Sequence, residues 1–269
     1  MAEVTVVYLI YTLVILTATS LGAVAGLGGG VIIKPLLDLV GYHDAATINL
    51  YSCVAVFTMC CVSLTKQLRA GFTFDKRMVL AVSAGSLAGG VLGDQVFSAL
   101  TGSFDNHMVK AVQAGILAVV LGLILVYTLK QDQMPGWHLT NPASIFCAGL
   151  ALGALAVFLG IGGGPLNVAA LSLLFALGAK EGAVYSLAII FFSQLSKLVL
   201  SAASGTLWSI DLSYLPVVVI PAVAGGFIGT HFNRRLSEQG VRRIYVAVMC
   251  LLPLISLYNC VTNLKAALV

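Results

Sequence analysis

Two glycine clusters decide how this chain is read: Gly26-Leu27-Gly28-Gly29-Gly30 and, at a spacing of 134 from Gly26 to Gly160, Gly160-Ile161-Gly162-Gly163-Gly164. Each follows a long apolar run and precedes a short one. Glycine runs disfavour helix, and unpaired backbone is not tolerated against hydrocarbon, so neither cluster reads as ordinary lipid-facing helix. The clusters are either buried in protein or lining a wet cavity. Pro165, directly after the second cluster, suits the first turn of a new helix, where a missing N–H costs nothing. Each cluster is therefore expected to break one helix and start another.

The same spacing extends outward from the clusters. It places Tyr51-Ser52 on Tyr185-Ser186, Phe57 on Phe191 and Gly71 on Gly205 without a gap. A further shift of two residues places Ala88-Gly89-Gly90 and Gly93 on Ala224-Gly225-Gly226 and Gly229. The chain is a duplication. It divides into a first repeat (residues 1–130), a polar linker (131–140) and a second repeat (141–269).

Composition says what is being repeated. Of 269 residues, 59% are hydrophobic and 9% charged, with mean hydropathy +1.03, against roughly a quarter charged in soluble domains. Apolar stretches near 4–25, 45–65, 78–97, 109–129, 143–160, 183–203, 213–230 and 241–261 each approach the ~20 residues of a spanning helix. Eight such segments leave no room for a water-soluble domain and exclude a nucleic-acid binder. No Lys or Arg precedes the first run, so it lacks the basic region of a cleavable signal and is expected to be retained. Six cysteines sit inside apolar segments without metal-ligand spacing and read as small hydrophobes. No metal or cofactor is expected.

The positions of Lys and Arg choose between two topologies, because cytoplasmic loops carry their excess. If each half crosses four times, the halves are parallel and the basic residues divide six against six. If the chain turns back at the glycines, each half is a broken-helix hairpin plus three transmembrane helices, and the halves are inverted. One side then collects Lys66, Arg69, Lys76, Arg77, Lys130, Lys180, Arg234, Arg235, Arg242 and Arg243, and the other only Lys110 and Lys265. Lys34 and Lys197 fall inside apolar segments and enter neither count. The expected fold is thus an all-α polytopic membrane protein of two inverted repeats, with both termini outside the cytoplasmic membrane. Whether residues 31–40 and 165–177 cross fully or re-enter is left open.

A helix start presents free N–H groups and about half a positive charge, a cradle for an anion. Broken helices meeting at the midplane of inverted repeats are also how many secondary transporters build their substrate site. Gly28, Gly29, Gly30, Gly162, Gly163 and Gly164 are therefore candidate substrate-binding residues, with close helix packing as the alternative. Packing is the reading for Gly89-Gly90-Gly93 and Gly225-Gly226-Gly229. Lys197 is either a functional cation at membrane depth or a side chain that snorkels to the headgroups. Gln194 and Ser193, on the same or an adjacent face, can add neutral hydrogen bonds. Lys34 either looks toward the first glycine turn or pairs with Asp38 one turn on. Asn49, Tyr51 and Ser52, with Tyr185 and Ser186, are placed near the two faces of a central cavity, or else make structural interhelical hydrogen bonds. His43-Asp44 lies at a segment boundary and reads as an exposed turn more simply than as a proton carrier.

The paired glycine signatures, with Pro35-Leu36-Leu37 after the first and Pro165 after the second, and with Arg69-Ala70-Gly71 and Ala88-Gly89-Gly90-Val91-Leu92-Gly93 on either side of a polar loop, resemble the sulfite exporter TauE/SafE family of membrane permeases. The resemblance covers nearly the whole chain. It implies a secondary transporter of the inner membrane handling small sulfur-containing or organic anions, such as sulfite, sulfoacetate and other sulfonates, with no enzymatic turnover. The polar run Phe192-Ser193-Gln194-Leu195-Ser196-Lys197 departs from the less polar segment usual in the family, which points to a distinct substrate. The partners implied are a small anion and the lipid bilayer; a homo-oligomer is left open. The alternative is a channel-like pore or a structural scaffold. An intramembrane enzyme is disfavoured, since no span carries paired carboxylates, a His-Glu metal signature or a nucleophile beside a base.

The topology is testable by labelling. In a cysteine-free background, single cysteines at Arg69 and Arg234 are expected to react with an impermeant thiol reagent from the cytoplasmic face, and one at Ser103 from outside. Labelling of the first two from opposite sides would restore the parallel arrangement.

Overall fold

A computed structural model describes residues 2–131 and 136–267; Asp132, Gln133, Met134 and Pro135 of the expected linker lie outside the described residues. All described secondary structure is helical. The order is α1 (Ala2–Ala25), α2 (Gly30–Val40), α3 (Ala45–Arg69), α4 (Lys76–Ser103), α5 (Asn106–Lys130), α6 (Pro142–Leu159), α7 (Gly164–Phe175), α8 (Ala179–Ala203), the short α9 (Thr206–Ser209), a 3-10 turn (Leu212–Tyr214), α10 (Leu215–Arg235) and α11 (Glu238–Ala267). Eight of these helices are long and apolar enough to cross a membrane. The fold is that of an all-α polytopic membrane protein.

Both clusters break the chain, and the backbone shows why glycine is needed. Gly26, Gly28 and Gly29 have φ of 72°, 76° and 78°, and Gly160, Gly162 and Gly163 have 67°, 72° and 71°, a region L side chains rarely adopt. The Leu27 N–H donates back to Gly22 O at 3.0 Å, and Ile161 N–H donates to Ala156 O at 3.2 Å. These repeat-related bonds are the six-to-one closure that ends a helix on a left-handed glycine. New helices begin at once, with Ile33 N–H on Gly29 O at 2.9 Å and Asn167 N–H on Gly163 O at 2.8 Å. At three other helix starts a side chain caps the first turn: Asp44 accepts from Thr47 N, Asp75 from Arg77 N and Asp105 from His107 N.

The most buried long helices are α3 and α8, repeat partners that pack antiparallel. Cys53 Sγ lies 3.6 Å from Gln194 O, and Phe57 stacks on Phe191 at 5.1 Å between centroids. The two glycine turns meet at the mid-length of this pair, where Gly28 and Gly162 both lie against Val56 and Ile190. The turns also interlock. A Cβ on Gly30 would stand 2.6 Å from the Ile161 carbonyl oxygen, and one on Gly164 would overlap the Leu27 backbone.

Outside this centre the halves exchange helices, α1 packing on α10 and α6 on α4. Glycine makes the approach close enough for backbones to touch: Gly225 and Gly229 lie on Thr19 and Ser20, and Gly89 and Gly93 on Leu150 and Ala154. The packing reading of these Ala-Gly-Gly motifs describes what they do.

Contacts between loops define two ends. At one, Tyr11 Oη is 2.7 Å from His43 Nδ1, Ala45 N–H donates to Asn106 Oδ1 and His107 meets Asn263. At the other, Asp75 N–H donates to Tyr185 Oη at 2.7 Å, and Lys180 N–H meets Glu238. Tyr11 of α1 and His43 just beyond α2 share an end, so the first glycine turn reverses the chain.

The interlock predicts unequal glycines. Gly164→Ala is expected to lower the thermal midpoint of the purified protein sharply or prevent its recovery. Gly122→Ala in α5, where nothing lies within 4 Å of the added methyl, should leave stability unchanged or raise it by about 0.5–1 kcal/mol. Equal tolerance of both would mean that the turns do not touch.

Candidate functional site

The candidate residues fall into two groups, one that obeys the repeat and one that breaks it. In the first, Ser186 Oγ donates to Gly26 O at 2.7 Å, and Ser52 Oγ donates to Gly160 O at 3.2 Å. Each serine reaches the glycine turn of the other half and satisfies a carbonyl left over where a helix was broken. The tyrosines beside them act at opposite ends: Tyr51 Oη donates to Asp211 O at 2.8 Å, while Tyr185 Oη accepts from Asp75 N–H. Asp75 and Asp211 correspond under the shifted repeat, so the two bonds join repeat-related residues, with Tyr51 donating in one and Tyr185 accepting in the other. Ser193 is also internal to the scaffold, bonding back to Ile190 O at 3.0 Å.

Several of the glycines are equally committed to the scaffold. Gly29 faces Ala18 and Thr19 of its own hairpin, and Gly163 faces Ala156. The helix starts at Gly30 and Gly164 meet the opposite turn rather than an open space. Among the described residues, unpartnered buried polar atoms include Lys34 and Asp38 on α2, Asn49 on α3, Asn167 on α7 and Gln194 and Lys197 on α8, with others on α4, α5, α10 and α11.

These groups break the repeat. Lys34, Asn49, Asn167, Gln194 and Lys197 align with Val168, Ala183, Ile33, Cys60 and Ser63, so the scaffold is symmetric and its polar lining is not. Asn49 Oδ1 and the Lys34 stem both lie against Gly160. Neither amide atom of Asn49 has a hydrogen-bond partner, and the same holds for Asn167, for Gln194 Nε2 and for Lys197 Nζ. Lys197 is 2% exposed, so its ammonium does not reach the surface; it sits 5.0 Å above the Phe97 ring centroid. A ring face offers a buried ammonium partial compensation only. Among the described residues Lys197 makes no ion pair. Lys34 does, with Asp38 Oδ2 at 3.4 Å, the second of its two expected roles.

Sequence reasoning missed Asn167 and Lys110. Asn167 lies in an apolar run without a charge to mark it, and Lys110 looked like a loop cation. In the fold Lys110 is buried, 3.9 Å from Asp38 Oδ1, and donates to His43 O at 2.8 Å. His43 is no plain exposed turn either. It packs among the rings of Tyr11, Tyr42, Tyr51 and Tyr214, and burial pushes its imidazole below the usual histidine pKa. This aromatic cluster closes one end of the bundle. The other end holds a cavity of about 480 Å3 lined by Gln67, Phe72, Lys180, Val184, Asn233 and Arg234 among others. Asn233 ties its floor to the first hairpin by donating to Val24 O.

Eight apolar spans wrapped around a repeat-breaking polar interior define a polytopic membrane transporter. Residues 11–254 match the family described as Sulfite exporter TauE/SafE, and the chain belongs to that family. It is similar to the "Probable membrane transporter protein YunE" of Bacillus subtilis (strain 168), with 28% identity over 257 residues that cover 88% of this chain and 92% of that protein.

Asn167 separates a functional group from a stabilising one. A buried amide without partners costs about 1–3 kcal/mol, so Asn167→Leu, similar in volume, is expected to keep or raise the thermal midpoint while lowering transport. A clear loss of stability would show instead that the amide holds the fold together.

Proposed function

We propose that this chain is a secondary transporter, a permease or exporter, that moves small sulfur-containing or organic anions such as sulfite, sulfoacetate or other sulfonates across the cytoplasmic membrane. The observation that carries the reading is Lys197: a buried ammonium with neither an ion pair nor a hydrogen-bond acceptor among the described residues. The Phe97 ring and the Asp94 carboxylate compensate the charge without an ion-pair contact, and a bound anion supplies the direct partner that is missing. Lys34, a second buried cation, and Asp94, a carboxylate, both lie within electrostatic range of the first. Asn49 and Gln194, with free amide atoms along α3 and α8, supply neutral hydrogen bonds to oxyanion oxygens.

In this reading the repeats are inverted across the bilayer, with both termini outside, and the anion binds near mid-height beside the Gly160 turn. The antiparallel pairing of α3 and α8 supports inversion, because a two-fold axis between antiparallel repeat partners runs perpendicular to their length. The end that carries Lys66, Arg69, Lys180 and Arg234 faces the cytoplasm by the excess of basic residues. Its cavity is then the cytoplasmic vestibule, and the tyrosine cluster is the closed outer gate. The paired latches Tyr51–Asp211 and Tyr185–Asp75 give each gate a bond to break in turn.

The test is anion binding and flux. Lys197→Gln keeps polarity and approximate size, and is expected to weaken sulfite or sulfoacetate binding by about 1.5–3 kcal/mol, the range for a charge-assisted hydrogen bond. That is an order of magnitude or more in affinity. Lys197→Arg should retain part of the activity only where the pocket accepts a planar fork. Ligand-dependent thermal stabilisation and uptake of labelled anions into proteoliposomes report both. Undiminished binding by Lys197→Gln would remove the main support for the site.

A further inference from the structure

We propose that Asp38 is a resident counter-anion that competes with the transported anion for Lys34, and that Lys110 sets how strongly it competes. The proposal rests on the reading that Lys34 meets the anion. Three ionisable groups are buried together here: Lys34 and Asp38 one turn apart on α2, and Lys110 on α5. Two ammonium groups and one carboxylate leave a net charge of plus one where charges interact far more strongly than in water. Their contacts are loose. The separations are 3.4 and 3.9 Å, whereas a charge-assisted N–H···O bond spans roughly 2.7–2.9 Å. Lys34 Nζ and Asp38 Oδ1 have no hydrogen-bond partner.

The surroundings keep the carboxylate close without fixing it on Lys34. From α11, Asn259 Nδ2 donates to Pro35 O at 2.8 Å and anchors α2. The void that Asp38 shares with Lys34, Ser256 and Asn259 is about 10 Å3, at the lower limit for a single water. Asp38 thus has little free space beside it and lies between the two lysines. Lys110 is the fixed partner, held by its bond to the His43 carbonyl. Lys34 is the shared one, its stem lying against Gly160 and Asn49 and its amine beside Asp38.

This arrangement answers a need of any carrier, which must release what it binds. Without Asp38, an empty site would leave Lys34 buried and unpaired, and anion release would be correspondingly unfavourable. With it, departure of the anion is matched by return of the carboxylate. Asp38 thus lowers affinity to make binding reversible, and limits how much negative charge the site favours.

The test is the sign of two affinity changes, read by thermal stabilisation of the full chain in detergent with methanesulfonate, singly charged, and sulfoacetate, doubly charged at neutral pH. D38N is expected to tighten both at least ten-fold, sulfoacetate more, and to slow turnover in proteoliposomes. K110Q, which leaves Asp38 to Lys34 alone, is expected to weaken both several-fold. A purely structural role would weaken binding in both variants. Equal or weaker binding by folded D38N, or a K110Q change in the tightening direction, overturns the proposal; should D38N not fold, D38S is measured in its place, because only loss of the carboxylate gives opposite signs for the two roles. Where wild type binds but these signs fail, only the counter-anion idea falls. Where folded wild type binds neither anion, the anion-transport reading falls and takes this proposal with it.

Discussion

The structure depends on how two broken helices are satisfied in a dry interior. Ending a helix in the middle of a membrane protein leaves carbonyl groups without donors, and in hydrocarbon no water replaces them. Here each break is completed by the other half of the chain: Ser186 donates to the Gly26 carbonyl and Ser52 to that of Gly160. Because the donors sit on α3 and α8, these helices must lie side by side and antiparallel at the level of the turns. That places Val56 and Ile190 against both Gly28 and Gly162, and the exchange of α1 onto α10 and α6 onto α4 follows. Each break is thus satisfied partly within its own hairpin and partly by a serine of the other half.

On this repeated frame several buried polar groups do not repeat. Lys34 and Asn49 occupy the first half and Asn167, Gln194 and Lys197 the second, each opposite an apolar or small residue in the repeat. Symmetry suits a device that opens alternately to two sides, since equivalent gates need equivalent hinges and latches. The buried amides and ammonium groups lower stability where they stand, which is the usual mark of residues kept for function.

Much of the frame was legible in the residues. Glycine runs that cannot face lipid, a spacing of 134 that carries Ser52 onto Ser186, and eight apolar segments follow from local chemistry and arithmetic alone. The charge distribution between loops is also a property of the chain rather than of its packing. The site was legible only in part. Lys197 and Gln194 stood out because a charge or amide in an apolar run is costly wherever the helix lies. Gly29 and Gly163 drew attention as helix breakers at a new helix start, and each faces its own hairpin.

What the sequence determined by itself is therefore the class of protein, its duplication and the places where its helices break, because hydropathy, period and glycine conformation act within a few turns of chain. Only the tertiary structure decided which polar groups are buried and which of them lie beside one another. Asn167 carries no charge to betray it, Lys110 follows a loop at Asp105, and Asp38 could have paired with a single neighbour. Their burial, and the proximity of Lys110 on α5 to Asp38 on α2, arise from helices far apart in sequence being driven together by backbone contacts at glycine, and no local pattern encodes that distance.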